Sequence, residues 1–457
     1  MTAALQLPGV TATSLSAGVV VAAVLGAAVV IAGLVVVMRA NADAFPLLAV
    51  LALPFRLPIS AEGRTVNLLI PLYLVVGAGV LAHLLPRLIR REERGLNKLE
   101  RLLLATLVLY AMQALYSSDR GKAAENLAFF YIPFALLFVL LRDVQWRREL
   151  LLRCLGIAVA LAVIFAGIGF VEYARKELFL NPKVVAANQF DNYFRVNSLF
   201  FDPNIYGRFL AVVMIAVTMV VLWWRNMRGV LAAAAVLAWL LAGLVTSFSQ
   251  SSIAALLLGL AVLAAYRWSL RWALYVAGGL VVLALATALA APASWHLGLK
   301  GNGGSANNAT TGRAKLIEGG LELFADRPLQ GYGSGSFQKE YESHSKASVE
   351  SATSASHTIP ITVAAEQGIV GLALYVALLV VALLVLFRGA GRSPPRIAIA
   401  ACFAALVLHT FAYADFLEDP LTWTLLGIGV ALARAAELGR RDPAAGATAT
   451  GERTATA

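Results

Sequence analysis

Residues 14–38 read SLSAGVVVAAVLGAAVVIAGLVVVM, and this stretch of apolar and small residues sets the class of fold. A helix needs roughly 20 residues to cross a hydrocarbon core of about 30 Å. The stretch exceeds the apolar core of a signal peptide and has neither a basic segment before it nor an A-x-A cleavage site after it. We therefore expect it to remain as a membrane-spanning helix.

Similar apolar runs recur along nearly the whole chain. Of the 457 residues, 60% are hydrophobic and only 14% are charged, which is outside the range of soluble domains. We predict an all-α polytopic membrane protein with about twelve transmembrane helices. They fall near 14–38, 66–86, 99–117, 127–142, 149–171, 204–224, 230–246, 250–266, 272–291, 357–387, 396–414 and 420–437. A further short segment at 45–55 is interrupted by Pro54 and Arg56, and counting it changes the side on which the N-terminus lies.

The net charge of +11 has a topological explanation. Basic residues cluster in alternate loops, which the positive-inside rule places in the cytoplasm, so the charge is no sign of nucleic-acid binding. These residues are Arg87, Arg90, Arg91, Arg94, Lys98 and Arg101; Arg142, Arg147 and Arg148; Arg225 and Arg228; Arg267 and Arg271; Arg388, Arg392 and Arg396; Arg434, Arg440 and Arg441.

The remaining loops should face outward, and two of them are long, 172–203 and 292–356. We expect residues 1–441 to form one multi-pass membrane domain, followed by a disordered cytoplasmic tail at 442–457. The second outer loop contains RAKLIEGGLELFADRP, in which Ile317, Leu321 and Phe324 follow helical spacing up to Pro328. This predicts a short amphipathic helix at the outer interface or packed on the bundle. The Gly/Ser-rich GYGSGS after it allows the backbone to approach another group closely.

The sequence lacks motifs for nucleotides or metals. It has no Walker A or Rossmann fingerprint, and its five histidines are scattered without metal-ligand spacing. Cys154 and Cys402 lie inside predicted spans, where a disulfide is improbable. We predict no metal and no cofactor.

Two outward arginines are candidate anion ligands. Arg195 precedes the span that begins near 204, and Arg313 opens the predicted amphipathic helix, where the unpaired N–H groups favour an anion. Paired guanidinium groups suit a phosphate or pyrophosphate. The alternative is simple solvation, or pairing with acids such as Asp191 or Glu318.

His357 stands where a polar stretch becomes a long apolar run. A neutral imidazole at the outer end of a helix can act as a general base for a hydroxyl. The alternative is a helix-end histidine that hydrogen-bonds a backbone carbonyl. Further along the same run, Glu366 is an acid inside a span and hence a candidate functional residue, although it could instead break the helix before Gly368. His409 and the acidic ADFLEDP turn at 414–420 raise the same question more weakly.

Four stretches, in this order and spacing, resemble the O-antigen ligase and polymerase superfamily of bacterial envelope proteins. They are FRVNSLFFDPNIYGRF, TSFSQSSIAALL, GRAKLIEGGLELFADRPLQGYGSGSF and SHTIPITVAAEQGIVGLALYVALL, between about 195 and 387. At the second stretch this chain has Ser249, Gln250 and Ser251 where relatives often carry a basic residue, so Gln250 offers hydrogen bonds and no charge.

The resemblance implies a metal-independent inverting glycosyltransferase on the outer face of the bacterial inner membrane. It would transfer a glycan from undecaprenyl pyrophosphate to a glycan or lipid acceptor. Arg195 and Arg313 would hold the pyrophosphate and His357 would activate the acceptor hydroxyl. We assign substrate-binding roles to Asp202, Asn204, Ser249, Gln250 and Glu366.

Three functions remain as alternatives. A ligase transfers the glycan to a separate acceptor such as lipid A-core, whereas a polymerase transfers it to another lipid-linked repeat unit, and both need the same residues. A transporter or flippase for lipid-linked sugars would have paired broken helices and charges near the bilayer midplane, which the sequence does not suggest.

Overall fold

The computed structural model describes residues 17–61, 64–91, 95–180, 194–269, 305–345 and 358–441, with the single positions 271, 275 and 278. The side chains of 17, 19–20, 58–67, 305–314, 345 and 439–441 lie outside that description. The described residues also exclude several predicted features: the span 272–291, most of the loop 172–203, His357 and the tail 442–457.

The described chain is a bundle of helices, as predicted. In chain order they are α1 (Ala17–Ala40), α2 (Ala44–Ala52), α3 (Ile70–Ile89), α4 (Lys98–Ala114), α5 (Arg120–Arg142), α6 (Arg148–Arg175), α7 (Pro203–Trp223), α8 (Met227–Thr246), α9 (Gln250–Arg267), α10 (Ser305–Asp326), α11 (Phe337–Ser345), α12 (Ile359–Phe387), α13 (Pro394–Thr410) and α14 (Pro420–Arg441). A short antiparallel hairpin, β1 (Leu57–Ala61) and β2 (Arg64–Leu68), joins α2 to α3 with Ile59 opposite Val66.

Nine of these helices are long and apolar enough to cross a membrane, counted over the described residues: α1, α3, α5, α6, α7, α8, α9, α12 and α14. The helices α4 and α13 coincide with two more predicted spans and have 17 residues each. The chain is therefore an all-α multi-pass membrane protein, apart from the small hairpin. The predicted total of twelve spans is neither reached nor excluded, because 272–291 is outside the described residues.

Helix α7 lies at the centre of the bundle, where it packs against α6, α8, α9 and α13. Its Gly207 allows this packing, because a Cβ there would come within 2.8 Å of Ser252 Oγ on α9. Small residues of this kind let membrane helices approach closely, since lipid supplies no hydrophobic force between them. The close contact brings the first turns of α7 and α9 together.

The basic loops meet at one end of the bundle, which we call the basic end. Ion pairs join Arg87 to Asp143 at 2.8 Å, Arg142 to Glu100 at 2.7 Å and Arg147 to Asp43 at 2.8 Å. The Asp43 pair fixes the chain just after α1 at this end. Arg56, which follows α2, is instead near Asp419 at the opposite end, where its charge partly offsets the effect of burial, which raises the pKa of that acid. The short helix α2 and the hairpin after it therefore together lead the chain from the basic end toward the opposite end.

Candidate functional site

The other set of loops converges at the opposite end, which we call the site end. Arg195 Nε donates to Ser247 O at 3.2 Å, Arg208 Nη1 to Asp415 O at 3.3 Å and Asn126 Nδ2 to Glu418 Oε1 at 2.8 Å. Thr358 Oγ1 donates to Phe411 O at 3.3 Å. These are the loops that the charge pattern assigned to one side of the membrane, so the structure brings the predicted outward connections together.

Arg195 donates to two neutral oxygen atoms. Its Nη2 donates to Asn204 Oδ1 at 3.3 Å, in addition to its bond to Ser247 O. Its backbone neighbour Val196 donates to Thr246 O at 3.2 Å, which ties this loop to the end of α8. These two bonds orient the guanidinium, which can only donate hydrogen bonds.

A buried carboxylate supports the loop that carries Arg195. Glu172, near the end of α6, is fully buried and accepts N–H groups from Ser198 at 2.7 Å, Phe179 at 3.1 Å and Asn197 at 3.3 Å. A charge-assisted bond of this type is about twice as strong as a neutral one. The backbone on both sides of the undescribed segment 181–193 is thereby fixed to one side chain.

Three serines of the α8–α9 junction meet Asn204 and His409. Ser249 Oγ donates to Asn204 Oδ1 at 2.8 Å and lies 2.7 Å from Ser252 Oγ. His409 Nε2 on α13 is 3.2 Å from both Ser251 Oγ and Ser252 Oγ. Ser249, Ser252 and His409 have no exposed surface, whereas Ser251 and Asn204 at the edge of the cluster are half-buried.

A second arginine, Arg208, lies one turn deeper in α7. It is 1% exposed and pairs with Asp419, with 3.0 Å between Nη2 and Oδ2. Burial raises the pKa of Asp419, although Arg208 acts in the opposite direction. Because the pair is enclosed, it anchors the α13–α14 turn to α7 and is not available to a ligand. Removing one partner of such a pair leaves a buried charge uncompensated.

The glycine-rich segment 331–336 docks onto a break in α12. Gly368 adopts φ 65° and ψ −165° inside the helix, and the freed Glu366 carbonyl accepts Gly333 N at 2.8 Å. The Glu366 carboxylate accepts Gly335 N at 2.9 Å and Phe337 N at 3.0 Å. The close backbone approach expected of GYGSGS is thus made to the chain's own α12.

Acidic and basic side chains also meet beside this loop, on α5 and the α13–α14 turn. Lys122 Nζ pairs with Glu125 Oε1 at 2.7 Å, and Asn126 connects Glu418 to Tyr110 OH at 2.9 Å. Burial, together with the neighbouring Asp415, raises the pKa of Glu418 to about 7. This carboxyl therefore exchanges its proton near neutral pH.

The structure brings together four of the predicted site residues. Arg195, Asn204 and Ser249 share one hydrogen-bond network, and Asp202 caps α7 through a 2.6 Å bond from Asn204 N. Gln250 is the exposed first residue of α9 beside them. Glu366 is buried elsewhere, where its two carboxylate oxygens accept backbone N–H groups of the glycine-rich segment, and its substrate-binding role stays a prediction.

Two expectations about the amphipathic helix were wrong. Helix α10 begins at Ser305, so Arg313 lies in its interior and does not open it. The low-complexity stretch before Arg313 lacks apolar periodicity, yet a packed helix extends readily once it is nucleated. The buried face consists of Leu316, Gly320 and Leu323. Each of these residues directly precedes one of the predicted residues, Ile317, Leu321 and Phe324. Gly320 decides the face, because it can lie against Phe337 and Ile361.

Three residues of the site were not predicted from the sequence: Arg208, Ser252 and Glu172. For Arg208 and Glu172 a signal existed, because each is a charged residue inside an apolar run, and such residues mark functional or bracing positions. Ser252 carries no signal, since a serine in a span is common. Over the described residues, no three His, Cys, Asp or Glu side chains are grouped so that they could hold a metal ion.

The fold and the polar site define a multi-pass membrane protein with a buried polar network at one end. Residues 235–376 match the family model described as O-antigen ligase, and this match confirms the predicted resemblance to the O-antigen ligase and polymerase superfamily. Members of this family are glycosyltransferase-like enzymes. The matched segment includes Ser249, Gln250, Arg313, His357 and Glu366, whereas Arg195, Asp202 and Asn204 precede it. No curated protein matches the chain.

Proposed function

We propose that the protein is a ligase-like glycosyltransferase that moves a glycan from a polyprenyl pyrophosphate to an acceptor hydroxyl. The observation that carries this proposal is the oriented guanidinium of Arg195, held by Ser247 and Asn204 at the end of the bundle opposite the basic loops. The match to the O-antigen ligase family supports the same chemistry. The reaction needs a cationic site for a diphosphate at a membrane surface, which this end of the bundle offers.

The leaving group would be stabilised by arginine. When the anomeric C–O bond to the pyrophosphate breaks, negative charge accumulates on the diphosphate oxygens, and a positioned cation lowers the energy of that state. We assign this role to Arg195, with Arg313 of α10 as the second cation. Gln250, exposed at the start of α9, would add a neutral hydrogen-bond donor.

The acceptor hydroxyl would be activated by His357. Thr358, the next residue along the chain, contacts Phe411, two residues after His409 of the buried network. This position supports an approach of the acceptor beside the network. The imidazole removes the hydroxyl proton as the acceptor oxygen forms its bond to the anomeric carbon, and the diphosphate departs from the opposite side, which inverts the configuration.

We place the site on the outer face of the inner membrane, because the basic end satisfies the positive-inside rule for the cytoplasm. The donor would reach the site laterally from the bilayer. Polymerisation of lipid-linked repeat units is the alternative within the same family, and it uses the same roles for Arg195, Arg313 and His357.

The test is product analysis with purified protein in nanodiscs. The protein is incubated with undecaprenyl-pyrophosphate-linked glycan and a lipid A-core acceptor in EDTA, and both lipids are resolved by mass spectrometry. Glycan on the separate acceptor, lost in His357→Ala, supports a metal-independent ligase. Lengthened lipid-linked glycan supports a polymerase. Donor movement across the bilayer without cleavage would contradict the proposal and favour a flippase.

His344 provides the matched control for His357. It lies in α11 on the same outer loop and is partly exposed, and its ring contacts Tyr332, Glu340 and Asp326. His344→Ala should retain turnover within about twofold, because these contacts are solvent-screened. A loss in His344→Ala equal to that in His357→Ala would argue against a specific base at His357.

A further inference from the structure

A continuous chain of hydrogen bonds, buried at its α13 end and partly buried at Arg195, leads from α13 to Arg195. It runs from His409 Nε2 to Ser252 Oγ at 3.2 Å, to Ser249 Oγ at 2.7 Å, to Asn204 Oδ1 at 2.8 Å, and ends with Arg195 Nη2 at 3.3 Å. It connects three helices and the loop of Arg195. Ser251 is a side branch, 3.2 Å from His409 Nε2 and 3.3 Å from Ser249 Oγ.

The direction of every bond in this chain follows from Arg195. A guanidinium can only donate, so the Asn204 atom that it contacts must be the amide oxygen. Ser249 approaches the same oxygen and must also donate to it, which uses its single proton. In its 2.7 Å contact with Ser249, Ser252 can therefore only donate, and its one proton is shared between Ser249 Oγ and the Asn204 carbonyl, 3.3 Å away.

The remaining bond fixes the tautomer of His409. Because the Ser252 proton is used by Ser249 Oγ or the Asn204 carbonyl, the Ser252 oxygen accepts from the imidazole, and His409 carries its proton on Nε2. His409 Nδ1 is buried and has no hydrogen-bond partner among the described residues, as expected for the unprotonated nitrogen of a neutral ring. The ring packs edge-on against Tyr413, with 5.6 Å between centroids.

We infer that His409 is a positioning residue that acts through Ser252, Ser249 and Asn204 to orient the Arg195 guanidinium toward the diphosphate. The inference rests on the proposed function of Arg195. His409 is fully buried and does not touch the substrate. Its Nε2–H keeps all the protons of the chain pointing toward the Asn204 oxygen, so this oxygen accepts both Ser249 and Arg195.

The same arrangement gives Ser249 a new role. Its side chain has no exposed surface and its proton is committed to Asn204, so Ser249 transmits orientation and does not bind substrate directly. Asn204 is fixed at its other end, because its backbone N–H donates to Asp202 Oδ1 at 2.6 Å. The side-chain oxygen and the backbone of Asn204 are thus both fixed by hydrogen bonds.

The inference predicts a graded effect of variants on donor use in nanodiscs. His409→Leu removes the donor and should lower kcat/KM for the lipid-linked donor about three- to tenfold, the usual effect of one lost hydrogen bond. Ser252→Ala breaks the chain at its middle with a smaller volume change and should give a similar loss. His409→Gln keeps an N–H at the position of Nε2 and should stay within about twofold of wild type.

A double-variant cycle separates positioning from general damage. In an Arg195→Lys background, His409→Leu should lower kcat/KM by less than about a further twofold. The reason is that lysine lacks the planar guanidinium that the hydrogen bonds from His409 to Asn204 orient. Thr218→Val is the matched control. It removes a partly buried hydroxyl that donates to Met214 O at 2.8 Å, further along α7. This variant should leave kcat/KM unchanged in both the wild-type and the Arg195→Lys backgrounds.

The possible outcomes separate the proposed role of Arg195 from the positioning role of His409. If Arg195→Lys alone leaves turnover unchanged, the proposed role of Arg195 fails and the inference fails with it. If Arg195→Lys lowers turnover but His409→Leu and Ser252→Ala do not, or if their losses multiply with that of Arg195→Lys, only the inference is overturned. Equal losses in His409→Gln and His409→Leu, with melting temperatures as in wild type, would likewise overturn it.

Discussion

Gly368 shows how one residue determines the path of a helix. Its φ of 65° with ψ of −165° is a conformation open essentially to glycine alone. A Cβ at this position would also collide with the Leu329 carbonyl of the segment that docks there. The break frees the carbonyls of Ala365 and Glu366, which accept the N–H groups of Tyr332 and Gly333, so the loop position depends on this glycine.

Gly368→Ala should therefore destabilise the protein by at least about 2 kcal/mol, through backbone strain and the collision with Leu329. The measurement is thermal unfolding in detergent. Gly156→Ala in α6 is the control, because nothing lies within 4 Å of its Cβ position and alanine favours helix. Equal melting temperatures for Gly368→Ala and wild type would show that the break in α12 is absent in the membrane protein.

Glu418 makes stability depend on pH. Its pKa is raised from 4.5 to about 7, so the folded state binds a proton more tightly than the unfolded chain. Stability is then highest below the unfolded pKa and falls as pH rises from about 4.5 to about 7. The side chain keeps some exposure, so the loss should be about 1 to 2 kcal/mol.

Glu418→Gln tests this dependence, because an amide keeps an oxygen for Asn126 and carries no charge at any pH. The variant should lose less stability than wild type between pH 4.5 and 7.5, and it should melt higher than wild type at pH 8. Parallel pH profiles for the two proteins would refute the assignment to Glu418.

Helix α10 shows that the spacing of apolar residues does not always predict which face of a helix is buried. Two apolar series with i, i+4, i+7 spacing overlap in GLELF and its surroundings, and the spacing alone cannot choose between them. The neighbouring rings decide, because Gly319 lies against Tyr341 and Gly320 against Phe337. Contacts between distant segments are not encoded in a local pattern.

Substitutions on the two faces of α10 should separate clearly. Leu316→Ala removes a side chain that is 5% exposed and should cost about 2 to 4 kcal/mol. Leu321→Ala removes one that is 48% exposed and should change the unfolding free energy by less than about 0.5 kcal/mol in detergent. The reverse order would mean that the predicted face, Ile317 and Leu321, is the packed one.

At the scale of the whole molecule, a helix could be predicted where its own sequence is a long apolar run. Long apolar runs predict α1, α6, α7 and α12 to within a few residues, since length and hydropathy are local properties. The motif around Arg195, Asn204 and Ser249 could also be found from sequence. The contacts of His409 and Ser252 with this motif could not be predicted from sequence, because these residues meet only after four segments of the chain have packed together.

The two ends of the bundle should face different compartments. Ser343→Cys lies exposed at the site end and Gln145→Cys at the basic end, whereas the native Cys154 and Cys402 are buried. In intact bacterial cells whose outer membrane is permeable, a membrane-impermeant maleimide should label Ser343→Cys, and it should label Gln145→Cys only after lysis. The opposite pattern would place the site in the cytoplasm and contradict the proposed access to an outer-face donor.

The central claim is that Arg195 is the oriented cation that stabilises the departing diphosphate. The most direct measurement is the rate of undecaprenyl pyrophosphate release in nanodiscs by wild type, Arg195→Ala and Arg175→Ala. Arg175 is an exposed arginine at the same end of the bundle and supplies the control. We predict at least about a hundredfold loss for Arg195→Ala, as for other groups that stabilise transition-state charge, and less than twofold for Arg175→Ala. Equal rates for all three proteins would contradict the account.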